Sequence, residues 1–242
     1  SKNLKLNIIK ELSKYEISNK LKINNISINS KKIKKNDIFF AIKGKKLDGN
    51  KFVAEALKKK SSLAIVNQIN KKLPLAKQIK VKNSLEFLTN CSAIFRRNIN
   101  AKIISITGSC GKTSLKEMIG STLKKISRTT YSPKSFNNKY GVPLSLLNLK
   151  YKDNFGVLEV GMDKKGEIDN LTKIIKPDLG IITNISYAHS KNFKNINQIA
   201  KAKAEIMNNI KKGGTIILNR DDSFYNYHKD IALKKKLNVI SF

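Results

Sequence analysis

The chain has 242 residues, 40% of them apolar, and a formal net charge of +32. That length can bury one large core or two ordinary ones, and two domains are expected. The cationic excess is nearly all Lys, with Arg only at Arg96, Arg97, Arg128 and Arg220, and it is spread along the chain beside Asn and Ile. Readers of bases and phosphates favour clustered, bidentate Arg, so the charge argues against specific nucleic-acid binding and for solvated faces with weak, salt-sensitive adhesion to polyanions. Two cysteines, Cys91 and Cys110, give neither a disulfide framework nor a CxxC metal pair, which points to a reducing, cytoplasmic setting. The first fifteen residues alternate charged and apolar side chains, unlike a signal peptide, and no apolar run is long enough to span a bilayer. Neither export nor membrane insertion is expected.

From residue 26 to 66 short apolar strands alternate with polar turns: 26–28, 37–42 and 63–66. A helix over 51–60 places Phe52, Ala56 and Leu57 on one face. A further helix over 84–97 carries Leu85, Leu88 and Phe95, and the polar stretch 98–100 ends it. The reading is a small N-terminal α/β domain over residues 1–98. Beyond it the alternation becomes regular, with strands at 103–107, 157–160, 179–184, 215–219 and 238–242 and helices at 113–126, 167–175 and 196–210. Such βαβ units predict a second α/β domain over 99–242, built on a parallel sheet with its ligands at the carboxyl ends of the strands.

The segment Gly108-Ser109-Cys110-Gly111-Lys112-Thr113-Ser114 follows an apolar strand and opens a helix with Leu115, Met118, Ile119 and Leu123 on one face. A strand, a glycine turn and a helix N-terminus surround a phosphate with backbone N–H groups and the positive end of the helix dipole. Lys112 would then reach the β- and γ-phosphates of ATP, and Thr113 would offer its hydroxyl to Mg²⁺. The general P-loop has a Gly five residues before Gly111; this chain has Ile106 there, so the loop is a shortened variant. Glu159 ends an apolar strand beside Gly161, where a sheet aims a carboxylate at the phosphate site, and an oxygen ligand suits Mg²⁺. Lys203 falls on one stripe with Ile199, Ile206 and Ile210, while Lys201 and Lys211 point elsewhere. A buried ammonium must pair, lose its proton or be modified. Of the two histidines, His189 follows the strand ending at Thr183-Asn184 and by position alone is more often structural; His228 is expected on the surface.

The segment 107–114 resembles the nucleotide loop of the Mur ligases, and further blocks follow in that family's order: Phe136-Asn137-Asn138-Lys139-Tyr140-Gly141-Val142-Pro143-Leu144, Leu158-Glu159-Val160-Gly161 with Gly166-Glu167-Ile168, and Ala202-Lys203-Ala204-Glu205-Ile206. These are most similar to the D-alanyl-D-alanine-adding branch. Upstream, Asn29-Ser30-Lys31 and Gly44 with Asp48-Gly49 resemble the first-domain motif that holds the UDP end of the substrate. The resemblance implies an ATP-dependent amide ligase of peptidoglycan precursor synthesis, joining D-alanyl-D-alanine to UDP-N-acetylmuramoyl-tripeptide through an acyl phosphate, and a monomer is expected. It implies substrate contacts from Ser30, Lys31, Gly44, Asp48, Gly49, Asn137 and Asn138, and catalytic roles for Lys112, His189 and Lys203. Two Mg²⁺ ions would be held by Thr113, Glu159, His189 and Lys203, with His189 on the second ion and Lys203 carbamylated by CO₂. Three features depart from the pattern: Asn29 and Lys31 flank Ser30 where the family usually has Asp and Arg, Ser190 follows His189 where an apolar residue is usual, and the resemblance stops short of the family's third domain, which is not expected within these residues. The chain alone is therefore expected to be inactive in ligation. Two alternatives stay open: another amide ligase on the same core, such as a diaminopimelate-adding or folate-polyglutamylating enzyme, against which block 136–144 speaks, and a nonenzymatic nucleotide- or polyanion-binding module, which the charge favours.

Overall fold

In the first of the chain's two units, Ser1–Asn98, the helix α1 (Leu4–Ser13) precedes three short strands, β1 (Ile26–Ser27), β2 (Ile38–Phe40) and β3 (Leu63–Val66). The helix α2 (Val53–Lys58) joins β2 to β3, and β4 (Gln78–Lys80) and α3 (Ser84–Arg97) complete the unit. All four strands are parallel, in the order β1-β2-β3-β4. β2 and β3 are buried at every position, as parallel strands covered on both faces are. On one face Phe39, Ala41, Ala64 and Val66 pack with Val53 and Ala56 of α2. On the other α1 lies against α3, and Phe87 of α3 stacks on Phe40 with ring centroids 6.2 Å apart. Asn83 caps α3 by accepting from the N–H groups of Leu85 and Glu86. The helix expected over 51–60 is shorter: Gly49–Phe52 is a 3₁₀ turn, and Lys60, at φ 63°, turns the chain out of the helix.

The computed structural model describes residues 3–187 and 192–242. Its second unit, Ile99–Phe242, runs β5 (Lys102–Thr107), α4 (Lys112–Ile126), β6 (Thr129–Tyr131), α5 (Gly141–Leu147), β7 (Phe155–Glu159), α6 (Glu167–Ile175), β8 (Leu179–Ile182), α7 (Ile196–Ala204), β9 (Thr215–Leu218), α8 (Tyr225–Lys234) and β10 (Asn238–Ser241). The expected α/β class and parallel sheet are found: six strands in the order β10-β9-β8-β5-β7-β6, every pair parallel. β5 lies between β7 and β8, so the strand order reverses around it, and ligands gather outside the carboxyl ends at such a point. Register places Ile106 opposite Glu159 and Thr107 opposite Ile182, which brings the chain ends after β5, β7 and β8 out of the sheet side by side.

Two expectations about side chains fail. Met118 is 61% exposed, while Leu115, Ile119 and Leu123 pack on the sheet. At about 100° per residue the buried stripe is centred between Leu115 and Leu123 and leaves Met118 well outside it. The residue that α4 buries instead is Lys116, at 0% exposure. His228, expected on the surface, is 2% exposed under α8; its Nε2 lies 3.1 Å from Ala200 O, and burial holds its pKa below the usual imidazole value. Helix α7 stops at Ala204 and continues as a 3₁₀ turn, Glu205–Asn209, yet Ile199, Lys203, Ile206 and Ile210 are all buried.

Candidate active site

Between β5 and α4 the chain turns through Gly108 at φ 144° and Gly111 at φ 79°, two conformations that favour glycine. Helix α4 has no side-chain cap, so its first N–H groups are left to a ligand. The loop that follows β8 grips this turn. Thr183 Oγ1 donates to Cys110 O at 2.6 Å, and Asn184 accepts from Ser109 N–H on its backbone oxygen at 2.9 Å and from Cys110 N–H on Oδ1 at 3.0 Å. Ser109 Oγ donates to Ser186 O and accepts from Ser186 N–H. Two of the loop N–H groups expected to face phosphate are thus donated to protein oxygens, and those at the start of α4 remain. This clamp has almost no signature in the sequence. Its only signal was the Thr183-Asn184 pair at a strand end, where polar side chains have backbone groups within reach.

Lys112 and Lys203 converge on one acceptor. Lys112 Nζ donates to Gly108 O at 2.8 Å, and Lys203 Nζ donates to the same oxygen at 3.0 Å. Burial lowers the pKa of Lys112, against the attraction of Glu159 and Cys110. Burial, and after it the charge of Lys112, brings Lys203 down to about 7. Lys203 is 5% exposed, so the stripe read from the sequence is where it lies.

Glu159 is 1% exposed, and both its oxygens accept from neutral donors: Oε2 from Thr113 Oγ1 at 2.8 Å and Oε1 from Asn137 Nδ2 at 2.7 Å. Ser135 Oγ lies 3.4 Å from Thr113 Oγ1; because the Thr113 proton goes to Glu159, Ser135 is the donor there. A buried carboxylate beside two hydroxyls is a hard-oxygen set that fits Mg²⁺. No group of three or more His, Cys, Asp or Glu able to hold a metal forms among the described residues, and His189 lies outside them. Just ahead of α5, Asn138 Oδ1 accepts from Tyr140 and Gly141 N–H. Lys112, Asn137, Asn138 and Lys203 line a cleft of about 600 Å³, which Tyr140 and Phe193 also border. Ser114 is exposed on α4.

In the first unit the expected UDP-end residues form two local clusters. Ser30 Oγ donates to Glu55 Oε2 at 2.7 Å, and Lys59 Nζ donates to the carbonyls of Ser30 and Lys31. Gly44 N–H bonds Leu47 O and Gly49 N–H bonds Ile42 O, closing a turn in which Asp48 accepts from the side chain and backbone of Asn50; those two bonds hold the Asp48 carboxyl below its ordinary pKa.

The two cysteines differ sharply. Cys91 is fully buried and burial pushes its thiol up to about 12, whereas Cys110 is exposed in the turn between β5 and α4. Iodoacetamide at pH 8 is expected to modify Cys110 and leave Cys91 intact, since the buried thiol is ionised in only roughly one molecule in ten thousand. MgATP should protect Cys110. Peptide mass spectrometry decides it, and equal labelling with and without nucleotide would place Cys110 outside the nucleotide's footprint.

Residues 106–242 match the family described as Mur ligase middle domain, and residues 22–96 match Mur ligase family, catalytic domain. The chain belongs to the Mur ligase family. Within it, the chain is 42% identical over 223 residues to the UDP-N-acetylmuramoyl-tripeptide–D-alanyl-D-alanine ligase of Buchnera aphidicola, covering 92% of this chain and 48% of that protein. The Escherichia coli enzyme of the same name is 29% identical over 212 residues, 87% of this chain and 46% of the enzyme. Among solved structures, MurF from Acinetobacter baumannii superposes with a TM-score of 0.84 at 31% identity, over 98% of this chain and 52% of that one. MurF from Thermotoga maritima, in complex with ADP, gives 0.76 at 28% identity, over 93% and 51%. The chain spans about half the length of these relatives.

Proposed function

We propose that these residues are the ATP-binding and UDP-substrate-binding part of a ligase that joins D-alanyl-D-alanine to UDP-N-acetylmuramoyl-tripeptide. The observation that carries the reading is the meeting of Lys112, Thr113, Glu159 and Lys203 around one phosphate-sized turn at the strand-order reversal. In that reading the γ-phosphoryl group of ATP passes to the terminal carboxylate of the tripeptide, giving ADP and an acyl phosphate. The amine of D-alanyl-D-alanine then attacks the acyl carbon, forming the amide and expelling phosphate. Lys112 and the open N–H groups of α4 hold the β- and γ-phosphates in line, where positioning and fixed charge supply most of the rate. Thr113 and Glu159 would hold Mg²⁺, with Ser135 beside them, and the ion would offset charge on the transferring group. Asn137 keeps the Glu159 carboxylate oriented.

Lys203 has a further role in this proposal. Its neutral amine adds CO₂ and loses a proton to become a carbamate, which turns a cation beside Gly108 into an oxygen donor. The depressed pKa supports this, because at pH 7 about half of the side chains would be neutral, against roughly one in three thousand for an ordinary Lys. His189 is proposed as a ligand of a second ion on the resemblance alone. Ser30, Lys31, Gly44, Asp48 and Gly49 are proposed to meet the UDP end.

Lys112→Ala is expected to lower MgATP affinity by roughly 10–10²-fold, the loss of a charge-assisted hydrogen bond worth about 1.5–3 kcal/mol, with the fold kept because Ala suits the first position of α4. Isothermal titration beside thermal melting tests it. Equal affinity in variant and parent would remove the nucleotide from this turn. Ligation itself is to be assayed in a chain extended to the relatives' length, and the assay for these 242 residues is binding.

A further inference from the structure

Lys116 is the least exposed charged side chain among the described residues, and nothing in the phosphate turn uses it. It sits one turn along α4 from Thr113. Its Nζ donates to Lys134 O and lies 3.1 Å from Glu117 Oε1, a carboxylate that is itself half exposed. Lys134 is held at φ 46°, a left-handed conformation that side chains with a Cβ rarely adopt. The loop that begins there carries Ser135, within 3.4 Å of Thr113 Oγ1, and Asn137, which donates to Glu159. Packing alone would be served better by Leu or Met, since burying an ammonium is unfavourable unless it holds a specific acceptor. The acceptor held is the carbonyl at the root of the loop that touches both Thr113 and Glu159.

We propose that Lys116 is a positioning residue: by fixing the Lys134 carbonyl from inside α4, its ammonium sets Ser135 and Asn137 against Thr113 and Glu159 and so shapes the cation end of the nucleotide site. The proposal rests on the nucleotide reading above, and it adds a residue that touches neither phosphate nor metal.

The test compares the parent chain with Lys116→Met, which keeps the volume and removes the donor, and Lys116→Gln, which keeps a shorter neutral N–H donor. Amide hydrogen exchange, measured without nucleotide, should speed up at residues 135–140 in Lys116→Met and leave β5 and the start of α4 as in the parent. ATP affinity in EDTA should stay within about twofold of the parent in both variants, because the phosphate turn is untouched. The gain in affinity on adding Mg²⁺ should fall about tenfold in Lys116→Met and less in Lys116→Gln. A parent-like Mg²⁺ gain in Lys116→Met overturns the proposal, as does, should that variant not fold, exchange at residues 135–140 in Lys116→Gln that is slower than in the parent. So does an equal loss in EDTA and in Mg²⁺, which would make Lys116 a packing residue. If the parent itself binds no ATP, the nucleotide reading fails, and the exchange experiment still decides whether Lys116 anchors the loop.

Discussion

Lys203→Ala is expected to cut ligation by roughly 10²–10³-fold in a chain extended to the relatives' length, the usual cost of removing one electrostatic partner of a transition state. If the residue acts as a carbamate, the loss is of two oxygen donors, and acetate or another short carboxylic acid should restore part of the rate by entering the space left. Lys203→Arg should lose as much and gain nothing from acetate. Its guanidinium stays protonated, cannot take up CO₂ and would keep a fixed charge next to Lys112 and Gly108 O. Initial rates of product formation against acetate concentration measure all three. Full activity in Lys203→Ala, or equal rescue of both variants, would reduce Lys203 to a lysine that is merely buried.

Gly108→Ala should be the most destabilising single change at the site. A Cβ on Gly108 would stand 1.8 Å from Thr183 Oγ1, and the backbone there has φ 144°, a region that is nearly glycine's alone. Strain and overpacking together should take about 2–6 kcal/mol from the second unit. The clash also pushes on the hydroxyl that holds Cys110 O, so nucleotide binding should go with the stability. Thr183→Ala in the same chain removes the clashing oxygen and should recover part of the loss, leaving the backbone strain. Urea unfolding of the two single variants and the double variant gives the coupling. A Gly108→Ala chain as stable as its parent would mean that the turn between β5 and α4 is free to move.

The parallel sheet of the second unit was legible because its strands are short apolar runs separated by helices of about ten residues, and period and length alone distinguish the two. What escaped notice lacked that contrast. Helix α5 is buried at all seven positions and carries Pro143 near its start, so it has neither a polar face nor an unbroken pattern. In α1 the buried Leu6, Ile8 and Ile9 are interleaved with lysines and read as alternating charge. β4 and β6 have three residues each, too few for a period. At the site, Lys112, Thr113, Glu159 and Lys203 could be named because each stands in a local pattern. Thr183 and Asn184, which hold Ser109 and Cys110, and Ser135, beside Thr113, come from loops, where nothing in the sequence says which polar side chain folds back on which group. Lys116 was hidden for a different reason: in so lysine-rich a chain, its identity carries almost no information, and only its burial sets it apart.

The hydrogen bond from Lys203 to Gly108 O spans 95 residues of chain, and the grip of Thr183 and Asn184 on the same turn spans more than 70. During synthesis at about 5–20 residues per second, Lys203 follows Lys112 by roughly 5–18 seconds. For most of that interval the emerging polypeptide has the turn between β5 and α4 in its sequence without its clamp, and for all of it without the second lysine. The arrangement around the turn therefore comes into being with the closing of the sheet around β5, and a half-made chain lacks the contacts that fix it.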